Sequence, residues 1–553
     1  MTKSFCIHKG AKSGKKCIFQ PGICSGTESF CKEKAVLVSG MRGRMKKKKI
    51  PGKIVLFLLI FIFEILSFSI RWAKANYANI GFAEIVFHLN MPLEGTSGDL
   101  LYSYLEDALI PAVLFALFFF SIYIGLRGKK YYLEAVYRRW QLKWNIKWIV
   151  YGCVCLNWIF LLYQAEQEFG MIDFAKNQLQ QSSLIKEEYV EPKNVAITFP
   201  KKKRNLITIY VESAETTLQD KANGGMLDKN YIPEMTALAR ENVSFSQSEL
   251  LEGAAVAPAC GWTIAGLVAE TSGLPLKLFT YDDHGADNDM GNYAHFLPGV
   301  TSLGDILEEE GYKNFFMAGS DFAFGGRTSY YTSHGNHEIW DYYTAKEEGK
   351  IPEDYKVFWG FEDRKLYEFA KEKLEELAAA DQPFNFSLLT VDTHQPSGYV
   401  CELCEEEYGE QYGNVWACAS RQLDGFIRWI KEQDFYENTT IVILGDHCSM
   451  SGDLGLSGIS YDKHTGSTAR KVYNAFIHSA VEPVKEENRR FTTMDMFPTI
   501  LGSLGVEIEG NRLALGTNLF SDEQTLAEEY GYEYLFDELN KKSLFYDEEL
   551  LYP

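Results

Sequence analysis

The sequence predicts N-terminal transmembrane helices followed by an extracytoplasmic α/β domain with a mostly parallel central sheet. Three observations carry that prediction. Long apolar runs are confined to the first 163 residues. From Asn205 onward, short β-branched runs alternate with amphipathic helical ones, as in strands buried on both faces and joined by crossover helices. Carboxylates and an Asp-His pair stand at the carboxyl ends of the strand-like runs, where open parallel sheets bind their ligands.

Residues 1–45 read as a disordered or wrongly assigned extension. They hold four of the eleven cysteines (Cys6, Cys17, Cys24, Cys31) at spacings that fit no zinc motif, and Met41 or Met45 is a more ordinary start. Residues 46–163 read as a transmembrane domain of about three helices. Ile54–Ile70 is apolar except for Glu64, Ala108–Leu126 carries no charge, and Trp148–Tyr163 is a shorter run containing Asn157. Seven Lys and Arg residues fall in Met41–Lys53 and seven in Arg127–Lys147, against only Arg71 and Lys74 between the first two runs. The positive-inside rule puts both basic stretches in the cytoplasm, so three spans leave everything after Tyr163 outside. No small-residue cleavage site follows the first run, and a cleavable signal peptide does not fit.

Residues 164–204 read as a juxtamembrane helix and linker, ending in a basic cluster, Lys201–Arg204, that anionic headgroups would attract, though a solvated charge run is the commoner explanation of such a cluster. Within 205–525, strands are expected at Leu206–Val211, Asn314–Ala318, Asn385–Val391, Thr440–Leu444 and Val472–His478. Helices are expected at Tyr231–Glu241, Thr263–Glu270, Leu303–Gly311, Glu362–Ala380, Ser420–Gln433 and Thr493–Leu504. Residues 526–553 read as a C-terminal tail. The net charge of −20 argues against sequence-independent nucleic-acid binding. In an extracytoplasmic domain, a disulfide is expected between Cys418 and either Cys401 or Cys404.

The chemistry centres on Ala259–Gly266, Ala-Cys-Gly-Trp-Thr-Ile-Ala-Gly. Small residues flank one hydroxyl, Thr263, at a turn feeding a helix N-terminus, where free N–H groups favour an anion. Most such threonines only cap a helix. Here, however, Asn205–Glu212 ends in a carboxylate, Thr440–His447 ends in Asp446-His447, and Asp392-Thr393-His394 follows Asn385–Val391. A hydroxyl, a carboxylate and an Asp-His pair at element ends make a hard-metal phosphoryl site. A threonine hydroxyl is a poor nucleophile until a metal lowers its pKa and a neighbour takes its proton. The donor set suits Mn²⁺, with Mg²⁺ or Zn²⁺ as alternatives.

Asn205–Ser213, Gly261–Gly266, Val391–His394, Gly445–His447 and Met494–Thr499 together resemble the phosphoglycerol transferase/lipoteichoic-acid synthase family, membrane enzymes of the alkaline phosphatase/sulfatase superfamily. The resemblance runs over roughly residues 50–525. It implies an alkaline phosphatase/sulfatase-like domain in which Glu212, Thr263, Asp446 and His447 hold one divalent ion. Thr263 would be the nucleophile, Arg327 (in Phe-Gly-Gly-Arg) would grip the substrate phosphate, and His394 would contact the glycerophosphate and act as acid or base. The implied donor is phosphatidylglycerol and the implied acceptor a cell-surface polysaccharide or glycan, at a multi-pass site in a bacterial cell membrane. The less favoured readings are Arg327 as a surface arginine, His394 as a structural hydrogen-bonder, Glu212 as a helix cap and Asp446-His447 as a satisfied loop pair.

Three features depart from relatives. The chain reads Cys-Gly-Trp-Thr-Ile from Cys260, not the Cys-x-Pro-x-Arg of formylglycine sulfatases. Three spans are expected where lipoteichoic-acid synthases have five, and Cys448 stands where an apolar residue is usual. Phosphoethanolamine transfer or phosphodiester hydrolysis on the same scaffold is the nearest alternative. A non-catalytic polysaccharide-binding membrane protein is disfavoured by the intact Glu, Thr and Asp-His set.

Overall fold

The computed structural model describes residues 52–77, 80–90, 98–126, 132–137, 140–277, 296–450, 456 and 469–553. The extension expected over residues 1–45 lies outside them. The chain divides into two units, residues 1–58 and 59–553, and of the first only 52–58 are described, as helix.

Among the described residues, two helices are long and apolar enough to cross a membrane, Leu56–Asn76 and Leu100–Gly125. The first lies in α1 (Gly52–Asn76). A short helix, α2 (Phe82–Asn90), follows it. The second runs through a π turn at Leu105–Leu109 into α3 (Ile110–Leu126). Leu66, Leu114 and Phe118 are exposed on these helices, as expected of side chains that face lipid instead of a protein core. A hairpin, β1 (Tyr132–Tyr137) with β2 (Trp140–Asn145), precedes α4 (Ile146–Phe169). This helix contains the third expected span, Trp148–Tyr163. Lys74 at the end of α1 pairs with Glu168 of α4 at 2.6 Å.

The juxtamembrane stretch is tied to the domain that follows. Leu184 and Ile185, on the short helix α5 (Leu184–Glu188), are buried in its core. Lys203 pairs with Glu310 at 2.7 Å, and Arg204 donates to Thr440 Oγ1 and to the carbonyls of Thr439 and His478. These two members of the basic cluster, expected as a solvated charge run, instead close the amino-terminal edge of the sheet, where the first carbonyls of the strands need donors.

The central sheet has six strands in the order β8-β7-β3-β6-β4-β5. They are β3 (Asn205–Val211), β4 (Lys313–Ala318), β5 (Glu338–Trp340), β6 (Phe384–Leu389), β7 (Thr439–Gly445) and β8 (Asn474–Ile477). Every pairing is parallel except β8 with β7. The period of two sends Leu206, Tyr210, Val442 and Leu444 to one face and Ile207, Ile209, Ile441 and Ile443 to the other. On the second face lie α6 (Pro233–Glu241), α10 (Asp363–Ala378) and α11 (Gln411–Lys431). On the first lie α7 (Thr263–Ser272), α8 (Leu303–Glu309) and α12 (Met496–Ser503), and α9 (Arg327–Ser333) adds Tyr330 and Tyr331 to that core. Each fully buried Leu or Ile contributes about 1.5–3 kcal/mol, so the strands are held from both sides.

Several expectations need correction. Val472–His478 is not one strand. Tyr473 leaves the ladder to exchange backbone bonds with Ala214 and Gly445, which separates Lys471–Val472, paired with Ala254–Ala255, from β8. The helix expected at Ser420 begins at Gln411. Tyr412, Val415, Trp416 and Cys418 bury its first turns, but Gly413 and Asn414, weak helix formers, mask the period. Residues 526–553, expected to be a tail, are helical and packed inward. Leu535, Tyr546 and Leu550 are buried, and Tyr546 donates to the carbonyl of Pro275 at 2.8 Å.

Candidate active site

Sheet register builds the centre. Val211 stands opposite Gly445, so the next residues, Glu212 and Asp446, leave adjacent strand ends side by side. Ser213 then turns the chain in the left-handed region (φ 58°). Its N–H donates to Asp446 Oδ1 at 2.8 Å and its hydroxyl to Glu212 Oε1 at 2.8 Å. Strain of this kind in a non-glycine residue persists where surrounding bonds over-determine it.

Helix α7 brings in Thr263 as its first residue, after Trp262 in extended conformation. Gly266 allows the helix to come this close, because a Cβ there would overlap the Asp446 carbonyl oxygen. Gly266→Ala should therefore push α7 off the strand end. The expected cost is about 1–3 kcal/mol of stability, with a larger loss of metal affinity. Thermal unfolding and metal content of the purified variant check both, and a variant with normal metal binding would refute the role given to this contact.

Thr263 Oγ1 lies 3.3 Å from Glu212 Oε2 and 3.3 Å from His447 Nε2. His447 Nε2 is 3.4 Å from Glu212 Oε1 and 3.4 Å from Asp446 Oδ2. The imidazole is anchored through Nδ1, 2.8 Å from the Cys448 carbonyl, which leaves Nε2 as the ligand atom. Asp446 Oδ1 accepts from the backbone of Ser213 and His447, while Oδ2 is buried with no hydrogen-bond partner. Burial would depress His447, but Asp446 and Glu212 raise it to about 10. Burial, then the Glu212 charge, pushes Asp446 up to about 7. Two crowded carboxylates, one with a free oxygen, an imidazole nitrogen and a hydroxyl converge as ligands for a hard divalent cation. The residues fit such an ion.

His394 and Arg327 flank this centre. His394 follows β6 and is half-buried, its Nδ1 bonded to the Gln395 carbonyl and its ring 4.5 Å from Trp359. Burial lowers its pKa, against the Glu212 charge. Arg327 is not a surface residue. It is buried at the start of α9, donates to the carbonyls of Phe324 and Asp321, and lies over the Phe322 and Phe324 rings. Burial lowers its pKa, while Glu212 heads the charges that oppose this.

Two supports were missed by sequence reasoning. Glu215, buried, makes a two-pronged ion pair with Arg470 and accepts from Ser449 N–H, bracing the chain after His447. The second support is α2. Phe87 is fully buried with its ring 5.1 Å from Trp262, the residue before Thr263, and His88 stacks near Phe324. Glu84 is buried too, raised to about 8 by burial with the His447 charge opposing. The amphipathic run Phe82–Asn90 between two spans was the available signal.

The sulfatase family matches residues 204–506, more than half of the chain. The chain is 31% identical over 306 residues to phosphoglycerol transferase I of Xanthomonas campestris pv. campestris (strain B100), covering 54% of this chain and 40% of that protein. It is 32% identical over 356 residues to phosphoglycerol transferase I of Salmonella choleraesuis (strain SC-B67), covering 62% and 41%. The chain thus spans about two fifths of the length of these curated relatives. Among solved structures, the lipoteichoic acid synthase LtaP of Listeria monocytogenes aligns with TM-score 0.45 at 19% identity, over 62% of this chain and 82% of that one. The phosphoethanolamine transferase EptA of Neisseria meningitidis aligns with TM-score 0.46 at 14% identity, over 83% and 85%. Because the matched segment carries the sheet, Thr263, and the Glu212, Asp446 and His447 ligand atoms in one register, the chain belongs to the sulfatase family of the alkaline phosphatase superfamily.

Proposed function

We propose that the protein is a membrane-anchored phosphoglycerol transferase that moves glycerophosphate from phosphatidylglycerol to a hydroxyl of a cell-surface glycan. The observation that carries this reading is Thr263 Oγ1 at 3.3 Å from both Glu212 and His447, at a helix N-terminus. The similarity to phosphoglycerol transferases over the same segment supports phosphoglycerol as the group transferred.

A divalent ion held by Glu212, Thr263, Asp446 and His447, Mn²⁺ by preference, would lower the pKa of the threonine hydroxyl and offset charge on phosphate oxygens. Thr263 Oγ forms a bond to phosphorus, the bond to the diacylglycerol oxygen breaks, and diacylglycerol leaves with a proton. A glycerophospho-threonine remains. The N–H groups opening α7 and the Arg327 guanidinium stabilise the negative oxygens. His394 Nε2 then takes the proton of the acceptor hydroxyl, whose oxygen bonds to phosphorus as the bond from phosphorus to Thr263 Oγ breaks, and that proton passes back to Thr263 Oγ.

Since burial lowers His394, its ring is neutral at pH 7 and protonates only below its ordinary 6.5. Transfer to the acceptor should therefore fall on an acid limb below pH 6.5. In His394→Asn that limb should vanish along with about 10²–10⁴-fold of the rate. Single-turnover rates against pH check this, and an unchanged limb would remove His394 from proton transfer.

A lipid donor calls for a membrane-side site, and α2 supports one. It lies between the two apolar helices and packs on Trp262, which supports a segment between them on the catalytic side. A chain that crosses back through α3 would have to cross again to reach β3, and α4 is the helix available for that third span. Phe87→Ala should loosen α2 by about 3–5 kcal/mol of packing. It should lower transfer from vesicle phosphatidylglycerol far more than cleavage of a small soluble phosphodiester. Equal losses on both substrates would contradict the membrane-side role.

Intact-mass analysis of the full chain in detergent, with Mn²⁺ and phosphatidylglycerol but no acceptor, tests the reading. A glycerophosphate adduct on Thr263 is expected. An adduct of another headgroup would change the donor. A protein that binds no divalent metal and forms no adduct would overturn the enzyme assignment.

A further inference from the structure

Away from Thr263, three sulfurs meet beneath the loop that carries His394. Cys401 and Cys404 form a Cys-x-x-Cys turn, closed by the Cys404 N–H on the Cys401 carbonyl at 3.1 Å. Cys418 faces them from the buried side of α11. The Cys401 sulfur lies 3.7 Å from that of Cys404 and 3.8 Å from that of Cys418, and all three lie within 4.8 Å of one another. The disulfide expected among these residues is not formed, since bonded sulfurs sit about 2.0 Å apart. Thiolates bound tetrahedrally to zinc at about 2.3 Å are instead separated by the tetrahedron's edge, about 3.8 Å. The two separations from the Cys401 sulfur match that edge.

Two further observations point to a ligand. Gln422, one turn beyond Cys418, directs Nε2 at Cys418 Sγ (3.4 Å) and Cys401 Sγ (3.7 Å). This is how outer-sphere donors stabilise metal-bound thiolates. Asp392, at the head of the segment that leads to Cys401, is 2% exposed and neither of its oxygens has a hydrogen-bond partner. Three soft sulfurs with an amide donor aimed at two of them are a metal donor set more than a packing cluster.

We propose that Cys401, Cys404 and Cys418 form a thiolate site for a soft divalent cation of the Zn²⁺ class. Binding releases three thiol protons and forms three metal–sulfur bonds. The fourth position takes an oxygen, reached through Cys404, which is half-exposed while its partners are buried. The site pins the segment from Asp392 to Cys404, with His394 on it, to α11. Its role is therefore to hold the substrate-side histidine in place, apart from the hard-metal centre.

The test uses the full chain in detergent, loaded with zinc and dialysed, in a Glu212→Gln background that weakens the other centre. About one zinc per chain is expected there, falling at least tenfold when Cys418→Ser is added. Co²⁺ in place of zinc should give a thiolate-to-cobalt charge-transfer band that Thr263→Ala keeps and Cys418→Ser loses. If Cys418→Ser does not fold, alkylation of the parent decides: zinc should protect all three thiols until a strong chelator is added. A chain two hydrogens lighter with a Cys401–Cys404 or Cys401–Cys418 disulfide would overturn the proposal, as would three thiols that alkylate freely in the presence of zinc.

Discussion

Thr263→Ala is expected to stop phosphoryl transfer, by at least about 10⁴-fold in turnover, without unfolding the protein. The reasoning starts from what the hydroxyl touches. Thr263 Oγ1 contacts Glu212 Oε2 and His447 Nε2, and it does not cap α7, whose N-cap residue is Trp262. Alanine is the better helix former, so α7 loses nothing by the exchange. The phosphorus acceptor is lost outright, and with it the covalent adduct. Circular dichroism, thermal unfolding and adduct formation on one preparation give the answer. Residual transfer within about tenfold of the parent would show that Thr263 is not the nucleophile.

Asp446→Asn should separate stability from function. Burial and the Glu212 charge hold Asp446 at about 7, above the ordinary 3.8. For an acid, a raised folded pKa means the folded state binds the proton more tightly. The contribution to stability is therefore full below pH 3.8 and is lost as pH rises through about 7. At pH 8 the metal-free parent carries two crowded carboxylates, and the asparagine variant carries one. Asn Oδ1 can still accept from the Ser213 and His447 N–H groups that Asp446 Oδ1 now satisfies. Without metal, the variant should be more stable than the parent, on the order of 1 kcal/mol. With metal the order should reverse, because ligand at a hundred times its Kd adds about 2.7 kcal/mol to a protein that binds it. Unfolding with and without Mn²⁺ at pH 8 and pH 5 checks the crossing, which should shrink at the lower pH. If Mn²⁺ stabilised parent and variant equally, Asp446 would not be a ligand. Stability exchanged for a charged metal cradle is the pattern expected of a working site.

Much of the site was legible because its residues sit next to strong local patterns. Glu212 and Asp446-His447 directly follow runs of β-branched residues, and Thr263 follows a small-residue turn. In each case one residue of misjudgement at the element boundary leaves the functional side chain at the same end of the sheet. Arg327 was less legible, since its seven-residue helix is too short to show a period and its burial comes from Phe322 and Phe324. The early start of α11, the break at Tyr473 and the inward packing of residues 526–553 were hidden for a related reason. Gly413, Asn414 and a short strand give no periodic signal, and the chain there follows tertiary contacts instead.

Local sequence by itself determined the alternation of buried strands and helices, the apolar segments, and which residue types stand at the carboxyl ends of the strands. Those follow from side-chain volume, backbone preference and hydrophobic period, which act over a few residues. Tertiary structure alone decided that Val211 pairs with Gly445, so that a carboxylate and an Asp-His pair more than two hundred residues apart share one site. It also brought α2 onto Trp262 and set the Cys401 sulfur at metal-edge spacing, instead of bond length, from those of Cys404 and Cys418. Register and close approach are settled by packing between segments distant in the chain, a free energy that no local stretch of sequence contains.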